Sequence, residues 1–246
     1  MLQKGKIHAP ERLTILRWVA RLGAVTAEAL AQHEGRTIAS ARAHLLAAER
    51  AGLLCRRRVL ADAPALYTVT RAGLRTSGLR GLEPCRISVA NAPHAIACAD
   101  VAAALGHAYP DHQVMGEREL RRDEREAGTP LASASLGTTA DGAPLLHRPD
   151  LVLWPNDPRE QLPVAVEVEL TVKAPRRLQA ICLAWARCRC VAGTLYLTTP
   201  EVLRALTRAI DAAQGGERVA VVELDALLGG ERLPSTPNAS TVPTDA

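Results

Sequence analysis

The segments HRPDLVLW (residues 147–154) and PVAVEVELTVK (residues 163–173) decide how this 246-residue chain is read. In the second, Val164, Val166, Val168 and Leu170 fall on one face of an extended strand. Ala165, Glu167, Glu169 and Thr171 fall on the other, because successive side chains of a strand point to opposite sides. A polar link from Pro155 to Leu162 separates the two β-rich runs, a spacing that admits antiparallel pairing. Placing Trp154 beside Pro163 sets Asp150 opposite Glu167, so Asp150, Glu167 and Glu169 converge on one patch of sheet. Carboxylates that close repel unless a cation sits among them. A divalent-metal site is the first expectation.

Composition bounds the rest. Apolar residues make up 48% of the chain, but aromatics only 2% and Phe is absent, so Ala and Leu must fill the interior, which favours helices. The net charge of +4 is a weak pointer to a polyanionic partner. The distribution of charge says more: Arg21, Arg36, Arg42, Arg56, Arg57, Arg58, Arg71, Arg75 and Arg80 all lie in the first third. The N-terminus lacks the apolar core of a secretory signal, and no apolar run approaches a membrane span. The expected location is therefore the cytoplasm, with no membrane partner. The six cysteines show no Cys-x-x-Cys spacing, so reduced thiols are expected rather than a zinc site.

From the N-terminus, residues 11–22 carry Leu13, Leu16, Val19, Ala20 and Leu22 as one helical stripe, ended by Gly23. Thr26 caps a short helix running to about His33, and Gly35 supplies the turn. Thr37 caps a third helix to about Ala51, with Ile38, Ala41, Leu45 and Ala48 facing inward and Gly52 after its end. Leu53–Leu60 and Ala65–Thr70 then form a hairpin around Ala61–Pro64. Three helices followed by this hairpin resemble the winged helix-turn-helix regulators over residues 10–77, as does the run HLLAAERAGLLCRRR. That resemblance implies a third helix in the major groove of double-stranded DNA and a wing on the phosphates. Carried over, Arg36, Thr37, Ser40 and Arg42 stand at the start of the recognition helix, and Arg56, Arg57 and Arg58 in the wing. The competing account is a solvated basic face, or a module for protein contacts or homodimerisation.

Residues 79–84 read as a linker and Ile87–Ala90 as a short strand; Pro93 opens a helix to about His107. A strand over Val114–Leu120 carries Glu117 and Glu119, and Arg121–Ala143 reads as a long loop. After the two β-runs come a helix (176–190), a strand (193–199), a helix (200–213) and a strand (219–224). The tail from residue 231 has a disordered composition. The expected fold class is α/β: an α+β winged helix, then a mixed sheet flanked by helices over residues 84–230.

This element order, with Pro149-Asp150 and Glu167-Val168-Glu169, resembles the restriction-endonuclease-like PD-(D/E)xK superfamily. With the preceding winged helix, and EVELTVK leading into RRLQAICLAW, the chain looks like the replication-relaxation proteins of plasmids and mobile elements. The resemblance implies Mg²⁺, with Mn²⁺ as substitute, held by Asp150 and Glu167, with Glu117 or its rival Glu119 completing the shell. The superfamily lysine belongs two residues after the acidic one, where this chain has Glu169. Lys173 replaces it only if the strand bends, and Arg148 and Arg176 are the other candidate cations. Asp150, Glu167, Glu169 and Lys173 are thus the candidate catalytic residues. Two functions follow: a DNA-binding protein with a degenerate nuclease-like domain, or an active Mg²⁺-dependent endonuclease or nickase. Against both stands the bland account in which Glu167 and Glu169 are solvent-facing residues of a half-wet strand, balanced by Arg148, Lys173 and Arg176.

Overall fold

In the computed structural model, which describes residues 9–157 and 161–230, the chain divides into two units after Ala103. The expected tail from residue 231 lies outside the described residues. The first unit runs α1 (Ala9–Leu22), β1 (Ala24–Val25), α2 (Ala27–Glu34), α3 (Ile38–Arg50), β2 (Leu54–Arg57), β3 (Leu66–Val69) and α4 (Arg71–Ser77). The three strands form an antiparallel sheet in the order β1-β3-β2. This is a winged helix. Leu16, Val19, Leu30, Leu45 and Tyr67 bury a common core, and the small alanines Ala20, Ala41 and Ala48 let the helices approach closely.

The caps read from the sequence are in place. Thr26 is fully buried and its hydroxyl accepts from Ala29 N at 3.0 Å, while Thr37 accepts from Ser40 N at 3.3 Å. Gly35 ends α2 with φ of 61°, the left-handed conformation that closes a helix and turns the chain toward α3. Because the Thr26 hydroxyl is buried, Thr26→Ala is expected to destabilise this unit by about 1 kcal/mol, read as a lower urea midpoint for Trp18 fluorescence. Ile38 departs from expectation: it is 46% exposed at the first position of α3, before the helix has turned its stripe inward. β1 pairs with β3 through two residues only, too short to leave an alternation pattern.

Helix α5 (Ala92–Ala108) crosses the boundary between the units, so the division falls later than the linker at residues 79–84. The expected strand Ile87–Ala90 is absent; Ile87 instead packs on the β3 side chain Leu66 with Ala92.

The second unit continues β4 (His112–Gly116), α6 (Glu117–Ala127), β5 (Ala134–Thr138), β6 (Pro144–His147), β7 (Leu151–Pro155) and β8 (Val164–Glu169). It ends with α7 (Pro175–Arg187), β9 (Gly193–Thr198), α8 (Pro200–Ala212), β10 (Val219–Glu223) and α9 (Leu224–Leu228). Five strands form a mixed sheet in the order β10-β9-β8-β7-β4. β8 pairs antiparallel with β7 and parallel with β9, the parallel links being made through α7 and α8. Leu178, Ile181 and Trp185 of α7 and Val202, Leu206 and Ile210 of α8 pack with Ala165 and Tyr196 of the sheet.

Two expectations are corrected here. Glu117 and Glu119 lie on α6, not on a strand; ERELRRDEREA is held helical by its propensities and by Glu117–Arg121, with Leu120 its one buried anchor in the sheet core. The supposed loop 121–143 holds the rest of α6 and strand β5, which pairs with β6 as a separate hairpin.

Candidate functional site

The β7–β8 register is the one the sequence specified. Leu151 faces Val166 and Leu153 faces Val164, which carries Asp150 opposite Glu167. The backbone ladder stops there, and the Asp150 carboxylate takes over by accepting from Val168 N at 2.8 Å. Asp150 O in turn accepts from Glu117 N at 2.9 Å, where β4 gives way to α6.

Glu167 and Glu169 do not face water. Each is 4% exposed, because β8 is an inner strand with helices packed on the sheet. Glu167 Oε1 accepts from His147 Nε2 at 2.6 Å and from Trp185 Nε1 at 2.9 Å. The two donor rings meet edge to face at 5.7 Å. Burial pushes the Glu167 carboxyl above the usual carboxylate range; His147 pulls against this, and Asp150 adds to it. Tyr196, which faces Glu167 across the β8–β9 ladder, has its phenol pushed well up by the same burial and by the Glu167 charge. The neighbouring Cys182 thiol is pushed up to about 11.

The chain bends at Thr171, and Lys173 returns to form an ion pair with Glu169. Its charge also reaches Glu167. The other two candidate cations are elsewhere. Arg148 Nε donates to Glu124 Oε2 at 2.8 Å, and Arg176 is exposed in the first turn of α7. Glu124 is itself buried; its Oε1 accepts from Ser133 Oγ at 2.5 Å and Leu131 N at 3.1 Å.

The expected metal set is only partly assembled. Asp150 and Glu167 are neighbours, but Glu117 is engaged by Arg121 on the outer side of α6, and its rival Glu119 by Arg122. Among the described residues, Glu117, Asp150 and Glu167 do not bring one ligand atom each within 4.8 Å of one another. A hard divalent cation needs several oxygens converging at roughly 2.0–2.6 Å. In this arrangement the residues do not fit Mg²⁺: the carboxylates of Glu117, Asp150, Glu167 and Glu169 each accept from a protein donor.

In the first unit, α3 turns Ala39, Arg42, Ala43 and Arg50 outward along one face, with Leu46 half-buried between them. Arg42 meets the half-buried Glu28 at 3.3 Å, an ion pair of the kind that contributes under about 1 kcal/mol and exchanges readily. Arg56, Arg57 and Arg58 are all exposed on the wing. Arg56 pairs across the strands with Tyr67 and lies in its electrostatic field, together with Arg42. Thr37 is exposed but serves as the cap, and Ser40 is half-buried. Arg36 is not on the open face: its guanidinium reaches Glu11 at 2.8 Å, Glu34 at 2.9 Å and His44 at 3.0 Å.

Sequence reasoning passed over Ala43 and Arg50, which the helical period from Ala39 and Arg42 would have supplied. It gave no role to His147 or Trp185, although a buried indole N–H usually finds an acceptor. No family model matches this chain, and no curated protein matches it.

Proposed function

We propose that the protein binds duplex DNA through α3 and the wing, and that its second unit is a nuclease-like scaffold whose acidic cluster is held shut by its own donors. The observation that carries this is the open row Arg42, Arg50, Arg56, Arg57 and Arg58 beside the small residues Ala39 and Ala43. Small apolar side chains permit close approach to base edges, and the arginine forks match phosphate oxygens. No helix among the described residues is long and apolar enough to cross a membrane; the basic face is what supports a DNA partner, with the cytoplasm as the proposed location. The resemblance to replication-relaxation proteins supports a role with a plasmid or mobile element, and a homodimer on a two-fold DNA site accords with winged-helix practice.

Replacing Arg56, Arg57 and Arg58 together by Ala is expected to weaken duplex binding and to lower the slope of log affinity against log salt by roughly 3, near one unit for each phosphate left without its arginine. Fluorescence anisotropy over a salt series reads both. Unchanged affinity and slope would remove the wing from the interface.

One observation favours the second reading, a metal-dependent endonuclease: the bend at Thr171 delivers Lys173 to the acidic pair, where the superfamily's lysine is missing. Supercoiled DNA with Mg²⁺ or Mn²⁺ separates the two. Inert wild type and inert Glu169→Lys support the binding protein; nicking that Asp150→Asn abolishes without loss of affinity supports the enzyme.

A further inference from the structure

Beyond the DNA-binding face and the acidic cluster, the second unit holds a pair of thiols that neither uses. Cys188 caps the end of α7, and after one intervening residue Cys190 folds back so that the two Sγ atoms lie 3.2 Å apart. Both thiols point at the same backbone oxygen, Ser133 O, at 3.8 and 3.6 Å. The turn is pinned from outside: Arg218 Nη2 donates to Cys188 O at 2.6 Å and to Val191 O at 2.7 Å. Its two sulfurs are therefore held together by the fold rather than by chance of rotamer.

We propose that Cys188 and Cys190 form a redox-active dithiol that hydroperoxides convert to an intramolecular disulfide.

The electrostatics agree with this placement. Hydrogen bonding from Cys190 and the Arg218 charge bring the Cys188 thiol down to about 7, against the pull of burial. Cys190 is pushed the other way, by its thiolate neighbour, by burial and by nearby Glu124. Cys188 is thus the attacking thiolate and Cys190 the resolving thiol. The Cys188 sulfur attacks the terminal oxygen of ROOH; the O–O bond breaks, the S–O bond of a sulfenic acid forms, and RO⁻ leaves to be protonated as ROH. Cys190 then attacks the Cys188 sulfur. The S–S bond forms, and the departing hydroxide takes the Cys190 proton as water. Two thiols and one hydroperoxide give one disulfide, one alcohol and one water. Cys188 keeps 8% of its surface open, and Cys190 is half-buried, so a small oxidant has access. Cys182, buried and pushed up to about 11, is the built-in unreactive control.

The test uses the full chain with hydrogen peroxide as probe, followed by alkylation and tryptic digestion without reductant. Arg187 and Arg189 flank Cys188, and the next basic residue is Arg204. Oxidation should leave the dipeptide Cys188-Arg189 joined to the peptide from Cys190 to Arg204, released only by reductant. The link should form about tenfold faster than any oxidation of Cys182, following thiolate character. In Cys190→Ser, dimedone should trap a sulfenic acid at Cys188. Free, alkylated Cys188-Arg189 in peroxide-treated wild type overturns the proposal whatever the variant does. So does a link from either thiol to another cysteine, or oxidation of Cys188 no faster than that of Cys182.

Discussion

Arg148→Met should destabilise the second unit by about 3–5 kcal/mol at neutral pH, because it leaves the buried Glu124 carboxylate without its counter-charge. Glu124 is 4% exposed, and its Oε2 has Arg148 Nε at 2.8 Å. The two donors on Oε1, Ser133 and Leu131 N, cannot neutralise it. Urea unfolding followed by Trp154 and Trp185 fluorescence should show the lower midpoint. Adding Glu124→Gln should recover most of the loss, since the fault is an unpaired charge and not absent packing. No recovery in the double variant would mean that Arg148 acts through packing of its stem instead.

The same pair explains why this part of the site was hard to read. Arg148 stands two residues before Asp150, and as a free cation it is a natural substitute for the absent lysine. Its partner Glu124 lies 24 residues earlier, on a helix whose sequence offers almost no apolar period. Propensity and ion pairs formed α6 where hydrophobic pattern was silent, and with it Glu117 moved from strand centre to helix start. By contrast, the β7–β8 pairing was legible because alternation fixes a strand's face, and one shift of register would send every Val of β8 to the wrong side. What alternation could not show is that both faces are covered. The pattern Val-Glu-Val-Glu looks half-wet, yet β8 is an inner strand and both glutamates are buried.

The winged unit divides in the same way. Its threonine caps and glycine turns are local chemistry, written within three or four residues, and they stand where the sequence puts them. Arg36 shows the limit of that method: it occupies the expected start of a recognition helix, but Glu11, 25 residues away, draws it inward. A basic residue at the right local position is a DNA contact only if no acid distant in sequence claims it first.

Trp185→Ala should cost the second unit about 3–5 kcal/mol, the usual consequence of deleting a large, fully buried aromatic, because Trp185 is 0% exposed between α8 and the sheet. The more informative variant is Trp185→Phe, which keeps most of the volume and removes only the indole donor to Glu167 Oε1. An unsatisfied partner of that kind costs about 1–3 kcal/mol. Here the cost must depend on pH, because the donor serves the charged carboxylate. Glu167 is already raised above the ordinary range by burial, so its contribution to stability is present below the unfolded value and is lost as pH rises through the folded one. Removing a donor from the ionised form raises the folded value further. The gap between Trp185→Phe and wild type should therefore be widest where the wild-type carboxylate is ionised and should close in acid. Glu167→Gln, which cannot ionise, should make the Phe substitution nearly pH-independent. If the Phe variant shows one constant gap from acid to neutral pH with Glu167 intact, the indole is packing alone, and His147 is the donor that governs the carboxylate.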